Sequence, residues 1–136
     1  MTGSSNEGRP AVFLDRVGTL MRDVDYCGDP RKVEVFPQAV EALRRLKQSG
    51  YKLIVITNQS GIGRGYFTEE DYRAVEAEFV RQLGEGLIDA SYHAPDLPAS
   101  NSIRRKPGPG MIFEAQHEHH LDLRRSHVHL HRWQRG

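Results

Sequence analysis

Cysteine and long apolar runs are both scarce in this chain. Cys27 is the only cysteine among 136 residues, which excludes an intramolecular disulfide and a zinc site built from several thiolates and fits a reducing, cytoplasmic setting. No window approaches the ~20 consecutive apolar residues that a membrane-spanning helix needs. Residues 1–10 are polar and Gly/Ser-rich and lack the apolar core of a secretory signal. We therefore expect a soluble, cytoplasmic protein with no membrane partner and a disordered segment at residues 1–10.

Net charge is also small. The chain carries 19 Lys and Arg against 18 Asp and Glu, a formal net charge of +1, so its overall field favours neither nucleic acid nor anionic lipid. Aromatic side chains are not interleaved with basic residues, as they are in base-stacking surfaces. We expect no nucleic-acid partner. The length suits a single domain, residues 11–136, with one core.

The chain does contain an alternation of apolar runs and segments of helical periodicity. The runs predict strands at 11–14, 52–56, 87–92 and 126–131. Helices are predicted at 37–50, 68–83 and 110–120, from their apolar spacing and from Pro, Thr and Gly at their ends. Because strand–helix–strand order builds parallel crossover units, the sequence predicts an α/β fold with a parallel sheet flanked by helices.

An acidic residue marks the end of the first predicted strand. The run at 11–14 is followed by Asp15 and then by Gly18 and Thr19. Ligands of open α/β sheets bind in the crevice beyond the carboxyl ends of the strands, where N–H groups of turns and helix starts converge. Asp15 is therefore a candidate nucleophile in such a crevice, and residues 21–37 are a candidate flap over it.

The second predicted strand leads into a turn rich in hydroxyl groups and glycine. It reads Thr57-Asn58-Gln59-Ser60-Gly61-Ile62-Gly63-Arg64-Gly65-Tyr66-Phe67. The hydroxyl of Thr57 and several free N–H groups suit phosphate oxygens, and Arg64 can add a charged fork. The alternative is an ordinary βα loop of small turn-forming residues.

A basic Pro/Gly loop follows the third predicted strand. It reads Arg104-Arg105-Lys106-Pro107-Gly108-Pro109-Gly110-Met111. A lysine beside Asp15 and a bound phosphate would keep the carboxylate ionised and offset charge in the transition state. Taken alone, such a loop is more often a solvated linker. Its order and spacing after Thr57 favour Lys106 as a functional residue.

The three motifs together resemble those of the haloacid dehalogenase (HAD) superfamily of phosphatases, in the branch of histidinol-phosphate phosphatase and D-glycero-D-manno-heptose 1,7-bisphosphate phosphatase. The resemblance implies a Rossmann-like HAD fold and hydrolysis of a small sugar-phosphate monoester, in which Asp15 forms an aspartyl-phosphate that water then releases. It implies Lys106 as a second catalytic residue, and Mg²⁺ bound by Asp15 and by the backbone carbonyl of Val17. The substrate contacts that it implies are Arg16, Thr19, Thr57, Asn58, Gln59, Ser60, Arg64 and Arg105.

Three departures from the family pattern concern the catalytic equipment. Val17 stands where the resemblance expects a second Asp, the acid and base of the reaction, and loss of such a group typically costs ~10²–10⁴ in rate. The fourth motif, Gly-Asp-Arg-Trp-x-Asp, reads Leu130-His131-Arg132-Trp133-Gln134-Arg135. Because His131 and Arg135 replace its acids and Mg²⁺ prefers hard oxygen ligands, Mg²⁺ binding is expected to be weakened or lost. The zinc loop of this branch needs Cys and His ligands, and residues 92–105 contain His93 but no cysteine, so no zinc is expected.

Two interpretations of the function follow from these departures. One is a phosphatase of carbohydrate metabolism with impaired activity on a small phosphorylated substrate. The other is a non-catalytic protein that binds a phosphate compound or a partner. The chain stops at Gly136, where the resemblance implies a further helix and strand, so we expect a sheet without its last strand and self-association through the exposed edge.

The histidines suggest one further hypothesis. Six of the seven lie between His117 and His131. On a strand, His127, His129 and His131 would point to one face, and His117 and His120 would lie one turn apart on a helix. Imidazoles that converge in this way bind Zn²⁺, Ni²⁺ or Cu²⁺. A polar strand face and a solvated helix are the favoured alternative, because three His on one strand rarely share an ion without a further ligand.

Overall fold

The computed structural model describes residues 8–129, which form a parallel sheet with helices on both faces. The strands are β1 (Ala11–Leu14), β2 (Lys52–Asn58), β3 (Ala90–Ala94) and β4 (His127–His129). Their order across the sheet is β3-β2-β1-β4, and each neighbouring pair is parallel. The predicted α/β fold class is confirmed.

Three of the described α-helices begin and end close to the predicted positions. The helices are α1 (Pro37–Gln48), α2 (Ser60–Gly63), α3 (Glu69–Leu83) and α4 (Gly110–His119). Pro37 occupies the first turn of α1, where its missing N–H would have no helical partner. The Thr68 side chain caps α3 by accepting from the Asp71 N–H, and the Asp71 side chain accepts from the Thr68 N–H in return, which is the capping box that stabilises helix starts.

β1 and the middle of β2 are continuous apolar runs and so supply two cores. Successive side chains of a strand point to opposite faces, so both faces of this sheet can be buried under helices. One core joins β1 and β2 to α1 and α3 through Val12, Leu14, Leu43, Leu53, Val55, Val75 and Phe79. The other joins the same strands to α4 through Phe13, Ile54, Ile56, Met111 and Ala115. Burial on both faces fixes the carboxyl ends of β1 and β2, where the polar motifs begin.

The structure differs from the predicted secondary structure at three places. β3 begins at Ala90 rather than at Leu87, because the Asp89 carboxylate ties the chain to β2 by accepting from the Leu53 N–H at 2.8 Å. The turn after β2 contains a short helix, α2, which the sequence analysis did not predict. His120 lies beyond the end of α4 with a left-handed φ of 53°, so His117 and His120 do not share a helical face.

Two further predictions concern the membrane and the end of the chain. Within residues 8–129, no helix is long and apolar enough to cross a membrane. Residues 1–7 lie outside the described residues. So do the last two residues of the fourth predicted strand, and the fourth motif with His131 and Arg135. β4 forms one edge of the sheet among the strands that the structure describes.

Candidate active site

The carboxyl ends of β1 and β2 open into a cavity of about 400 Å³. Its walls come from the end of β1, from the predicted flap and from the turn after β2. The lining residues are Asp15, Val17, Asp23, Val24, Asp25, Tyr26, Cys27, Thr57, Asn58, Gln59, Ser60 and Gly61. The crevice therefore lies where the strand order and the position of Asp15 predicted it.

Asp15 and Lys106 form an ion pair beside this cavity. Lys106 Nζ lies 2.9 Å from Asp15 Oδ1 and 3.3 Å from the carbonyl oxygen of Ile56, and the two residues are only 7% and 4% exposed. The Arg16 N–H also donates to Oδ1, at 2.9 Å. Oδ2 accepts no hydrogen bond from the residues that the structure describes. One carboxylate oxygen is therefore held by two donors, and the other remains available to react.

Asn58 connects the second motif to the third. Its Oδ1 accepts from the Lys106 N–H at 2.9 Å, and its Nδ2 donates to the Lys106 carbonyl at 3.2 Å. Both ends of the amide are thus bonded to the Lys106 backbone, so the Asn58 side chain holds Lys106 in place, and the phosphate contact of Asn58 stays a prediction. A pairwise bond of this kind fixes both the position and the rotation of the backbone from which Lys106 extends.

Thr57, Gln59 and Ser60 offer polar groups to the cavity. All three are buried residues that line it. Gln59 Nε2 donates to Thr57 Oγ1 at 3.1 Å, and Thr57 Oγ1 donates to the Asn58 carbonyl at 3.4 Å. The structure therefore brings these three predicted substrate contacts to the same cavity as Asp15.

Arg16 and Thr19 lie elsewhere, although the resemblance implied that both contact substrate. Arg16 is fully buried, and its Nη1 donates to the Tyr72 hydroxyl and to Glu76, each at 3.1 Å. Thr19 lines a separate, largely apolar cleft of about 430 Å³ between β1 and α1. The reason is the tight turn after Asp15, in which the Leu20 N–H donates to the Arg16 carbonyl and directs both side chains away from the cavity.

Arg64 and Arg105 lie beside the cavity wall rather than in it. Arg64 Nε donates to Ser60 Oγ at 3.4 Å, and its guanidinium lies 5.7 Å from the ring centre of Tyr26. Arg105 Nη1 donates to the Asp96 carbonyl at 3.3 Å. Burial, and then the repulsion of nearby Arg64, lowers the pKa of Arg105. Two positive charges that repel each other near residues that line a cavity provide a favourable place for an anion.

Val17 lines the cavity where the family pattern has an acid, and two other acids line it as well. Asp23 and Asp25 belong to the flap, and the sequence analysis did not select them. The signal that the sequence offered was their position shortly after the first motif. Among residues 8–129, no group of three or more His, Cys, Asp or Glu side chains is arranged to hold a metal ion.

The fold and this site define a HAD-like phosphatase domain: a parallel sheet with an acidic residue after β1, a hydroxyl-rich turn after β2 and a buried lysine that pairs with the acid. Comparison with known proteins agrees. Residues 21–130 match the family model described as "Polynucleotide kinase 3 phosphatase". The chain belongs to this family of HAD phosphatases, in the branch of the D,D-heptose 1,7-bisphosphate phosphatases.

Two similar proteins of known sequence are named as heptose-1,7-bisphosphate 7-phosphatases. A probable D-glycero-D-manno-heptose-1,7-bisphosphate 7-phosphatase of Thermoplasma volcanium is 37% identical over 114 residues, which are 82% of this chain and 78% of that protein. The D-glycero-beta-D-manno-heptose-1,7-bisphosphate 7-phosphatase of Mesorhizobium japonicum is 39% identical over 126 residues, 86% of this chain and 58% of that one.

Two solved structures are also similar. A putative HAD-like phosphatase of Mesorhizobium loti superposes with a TM-score of 0.80 at 36% identity, over 93% of this chain. The D,D-heptose 1,7-bisphosphate phosphatase of B. bronchiseptica, complexed with magnesium and phosphate, superposes with a TM-score of 0.75 at 31% identity, over 84% of this chain. In both comparisons the chain spans 65% of the length of the other protein.

Proposed function

We propose that this chain is a phosphatase that hydrolyses the monoester of a small phosphorylated sugar through an aspartyl-phosphate on Asp15. The observation that carries the proposal is the buried Lys106–Asp15 pair, at 2.9 Å, beside a cavity that the turn beginning at Thr57 also lines. The names of the similar proteins make D-glycero-D-manno-heptose 1,7-bisphosphate the proposed substrate.

The first step is attack of Asp15 Oδ2 on phosphorus, with cleavage of the bond between phosphorus and the ester oxygen. Lys106 holds Oδ1 and offsets negative charge near the reacting group. Thr57, Gln59 and Ser60 present polar groups to the phosphate oxygens, and Arg64 and Arg105 attract the anion to the cavity. In the second step water attacks the phosphorus of the aspartyl-phosphate, which releases inorganic phosphate and restores the Asp15 carboxylate.

Val17 makes both steps slow. The departing sugar oxygen needs a proton, and an aliphatic side chain has none to give, so the proton comes from solvent water. The water of the second step likewise meets no base at position 17. Loss of a positioned acid and base typically costs ~10²–10⁴ in rate, and we propose impaired turnover of alkyl phosphates on this ground.

Mg²⁺ is the metal that we propose for this site. Mg²⁺ takes oxygen ligands and is commonly held by one or two carboxylates together with substrate phosphate and water. The donors that we propose for it are the Asp15 carboxylate and the Val17 backbone carbonyl, a minimal set that predicts weak binding. When bound, the ion would offset the repulsion between phosphate and Asp15. Cys27, the one free and buried thiol, agrees with a cytoplasmic setting, which we also propose.

A second candidate function is phosphate binding without turnover, and Val17 is the observation that favours it. We propose in either case that residues 11–136 act as one domain and that copies associate through the edge of β4. Binding alone requires only the cavity and the charges of Arg64 and Arg105 near it. The two candidates differ in whether any phosphate ester is cleaved.

The leaving group of the substrate separates the two candidates. With Mg²⁺ present, we would compare phosphate release from heptose 1,7-bisphosphate and from 4-nitrophenyl phosphate, whose phenolate departs without a proton. A phosphatase that lacks its acid should cleave the aryl ester faster by about 10²-fold or more, and Asp15→Asn should cleave neither. Binding of inorganic phosphate without cleavage of either ester would instead establish the non-catalytic function.

A further inference from the structure

Arg16 is the largest fully buried side chain of the described residues, and the proposed reaction makes no use of its guanidinium. The group lies between two aromatic rings of α3, 5.0 Å from the ring centre of Tyr72 and 5.4 Å from that of Phe79. Its Nε and Nη2 have no hydrogen-bond partner among the described residues. Such burial of a charged group is costly unless it is compensated, so its position calls for an explanation.

The compensation comes from one helix. Glu76 Oε1 accepts from Arg16 Nη1 at 3.1 Å and from the Tyr72 hydroxyl at 3.4 Å. Arg16 Nη1 also donates to the Tyr72 hydroxyl at 3.1 Å, and burial raises the pKa of that hydroxyl, which keeps it protonated as a donor to Glu76. The side chain of Glu76 is 23% exposed and that of Arg16 is not exposed. The three groups form a closed triangle that fixes the side chain of Arg16 to α3.

The backbone of Arg16 controls the nucleophile and the turn that follows it. Its N–H donates to Asp15 Oδ1 at 2.9 Å, which sets the rotation of the carboxylate. Its carbonyl accepts from the Leu20 N–H at 2.9 Å and from the Met21 N–H at 3.1 Å, which closes the turn. Because both its side chain and its backbone are hydrogen-bonded, Arg16 has little conformational freedom.

We propose that Glu76 is a positioning residue for Asp15, and that it acts through Arg16. Glu76 and Tyr72 hold the Arg16 side chain, the Arg16 N–H orients Asp15 Oδ1, and Oδ2 is thereby aimed at the phosphorus atom. The inference rests on the proposed function, because it takes Asp15 as the nucleophile. It assigns to α3, a helix that contributes no residue to the cavity lining, a role in the geometry of the reaction.

The test replaces the whole ion pair by apolar side chains. Glu76→Gln alone leaves Arg16 buried without its carboxylate, which is strongly destabilising, whereas the double variant Arg16→Met/Glu76→Met removes both charges, a change that buried pairs often tolerate. The matched control is Arg45→Met/Glu41→Met, which removes an exposed ion pair on α1. Tyr72→Phe, which deletes one hydroxyl and retains the pair, gives an intermediate variant.

Two readouts are measured on variants that remain folded. With 4-nitrophenyl phosphate and Mg²⁺, the apolar double variant should lose about 10²-fold in kcat with little change in KM, since small misplacements of a reacting group carry penalties of this size. Hydrogen exchange of the amides at residues 16–21, measured by mass spectrometry, should become faster by about tenfold. The control pair should change neither quantity, and Tyr72→Phe should lie between.

The outcomes separate this proposal from the proposed function. Normal kcat in the folded double variant overturns the positioning role, and so does unchanged exchange at residues 16–21. If the unmodified protein cleaves no phosphate ester, the proposed function fails, and exchange alone then shows whether Glu76 holds the Asp15 turn. Faster exchange with normal kcat shows a purely structural pair and overturns the proposal.

Discussion

Lys106 Nζ lies 2.9 Å from Asp15 Oδ1, although the two residues are 91 positions apart in the chain. The pair is nearly inaccessible to solvent, at 2% and 9% side-chain exposure, so each charge is compensated mainly by the other. The contact joins the end of β1 to the loop before α4. It is therefore both the centre of the proposed chemistry and a link between two distant segments.

Lys106→Met should lower both activity and stability. Removal of one partner from a buried pair leaves an uncompensated charge and costs about 3–5 kcal/mol in the free energy of unfolding, and loss of a charge-stabilising group lowers kcat by about 10²–10³-fold. Denaturant titration and phosphate release measure the two effects. Adding Asp15→Asn to the same chain should restore part of the lost stability without restoring activity. A Lys106→Met protein as stable and active as the unmodified one would refute the paired role.

Val17→Asp should raise the rate with sugar phosphates. The new carboxyl group lines the cavity, where it can protonate the leaving oxygen, so we expect a gain approaching ~10²-fold. The gain should be smaller with 4-nitrophenyl phosphate, whose leaving group needs no proton. Val24→Asp places a carboxylate in the same cavity at another position and serves as the control. Equal rates for both variants and the unmodified protein would contradict the assignment of Val17 as the missing acid.

Asn58→Ala should displace Lys106. The change removes two hydrogen bonds to the Lys106 backbone, at 2.9 and 3.2 Å, and buried bonds of this kind contribute roughly 1 kcal/mol each. We expect a loss of about 2 kcal/mol in the free energy of unfolding, together with a fall in kcat. The control is Gln48→Ala, which removes an exposed side-chain amide at the end of α1 and should change neither stability nor kcat. Unchanged kcat in a folded Asn58→Ala protein would show that Lys106 is positioned by other contacts.

Asp89 should make stability depend on pH at the acidic end. Burial raises the pKa of this carboxyl, but hydrogen bonds from the Leu53 N–H and Lys47 and the charges of Lys47 and Lys52 outweigh it, so the net pKa lies below the ordinary value of 3.8. A carboxyl whose pKa folding lowers stabilises the protein above the unfolded pKa, and this stabilisation disappears as pH falls through the folded pKa.

Asp89→Asn should therefore lower the free energy of unfolding by roughly 1–2 kcal/mol at neutral pH, and the difference should shrink below about pH 4. Urea titrations of both proteins across this range measure it. Glu85→Gln, an exposed residue just after α3, is the control and should change little at any pH. A difference that stays constant from neutral to acidic pH would show that the Asp89 charge is not its cause.

The fold could be predicted from the sequence because its signals are local. The apolar runs at β1 and β2, the proline that opens α1 and the capping residues of α3 each act within a few positions. The start of β3 was misplaced for a non-local reason: Leu87 and Ile88 are apolar and pack against the core, but Asp89 bonds to β2 and sets where pairing begins.

The site could be predicted only in part. The order of the motifs indicated that Asp15, Lys106 and the turn at 57–61 would meet, because parallel strands bring their carboxyl ends to one edge. The motifs could not show that Arg16 points into the core, since that depends on the turn closed by its own carbonyl. Nor could they show that the Asn58 side chain bonds to the Lys106 backbone, which depends on a contact between residues 48 positions apart.

The most direct test of the central claim is to find the phosphoryl group on the chain. The protein is mixed with 4-nitrophenyl phosphate and Mg²⁺, quenched in acid during turnover, digested and examined by mass spectrometry. Since water meets no base at Val17, the intermediate should persist, and we predict one phosphoryl group on the peptide that contains Asp15 and none in Asp15→Asn. Release of phosphate with that peptide unmodified, or a phosphoryl group on another residue, would contradict the account.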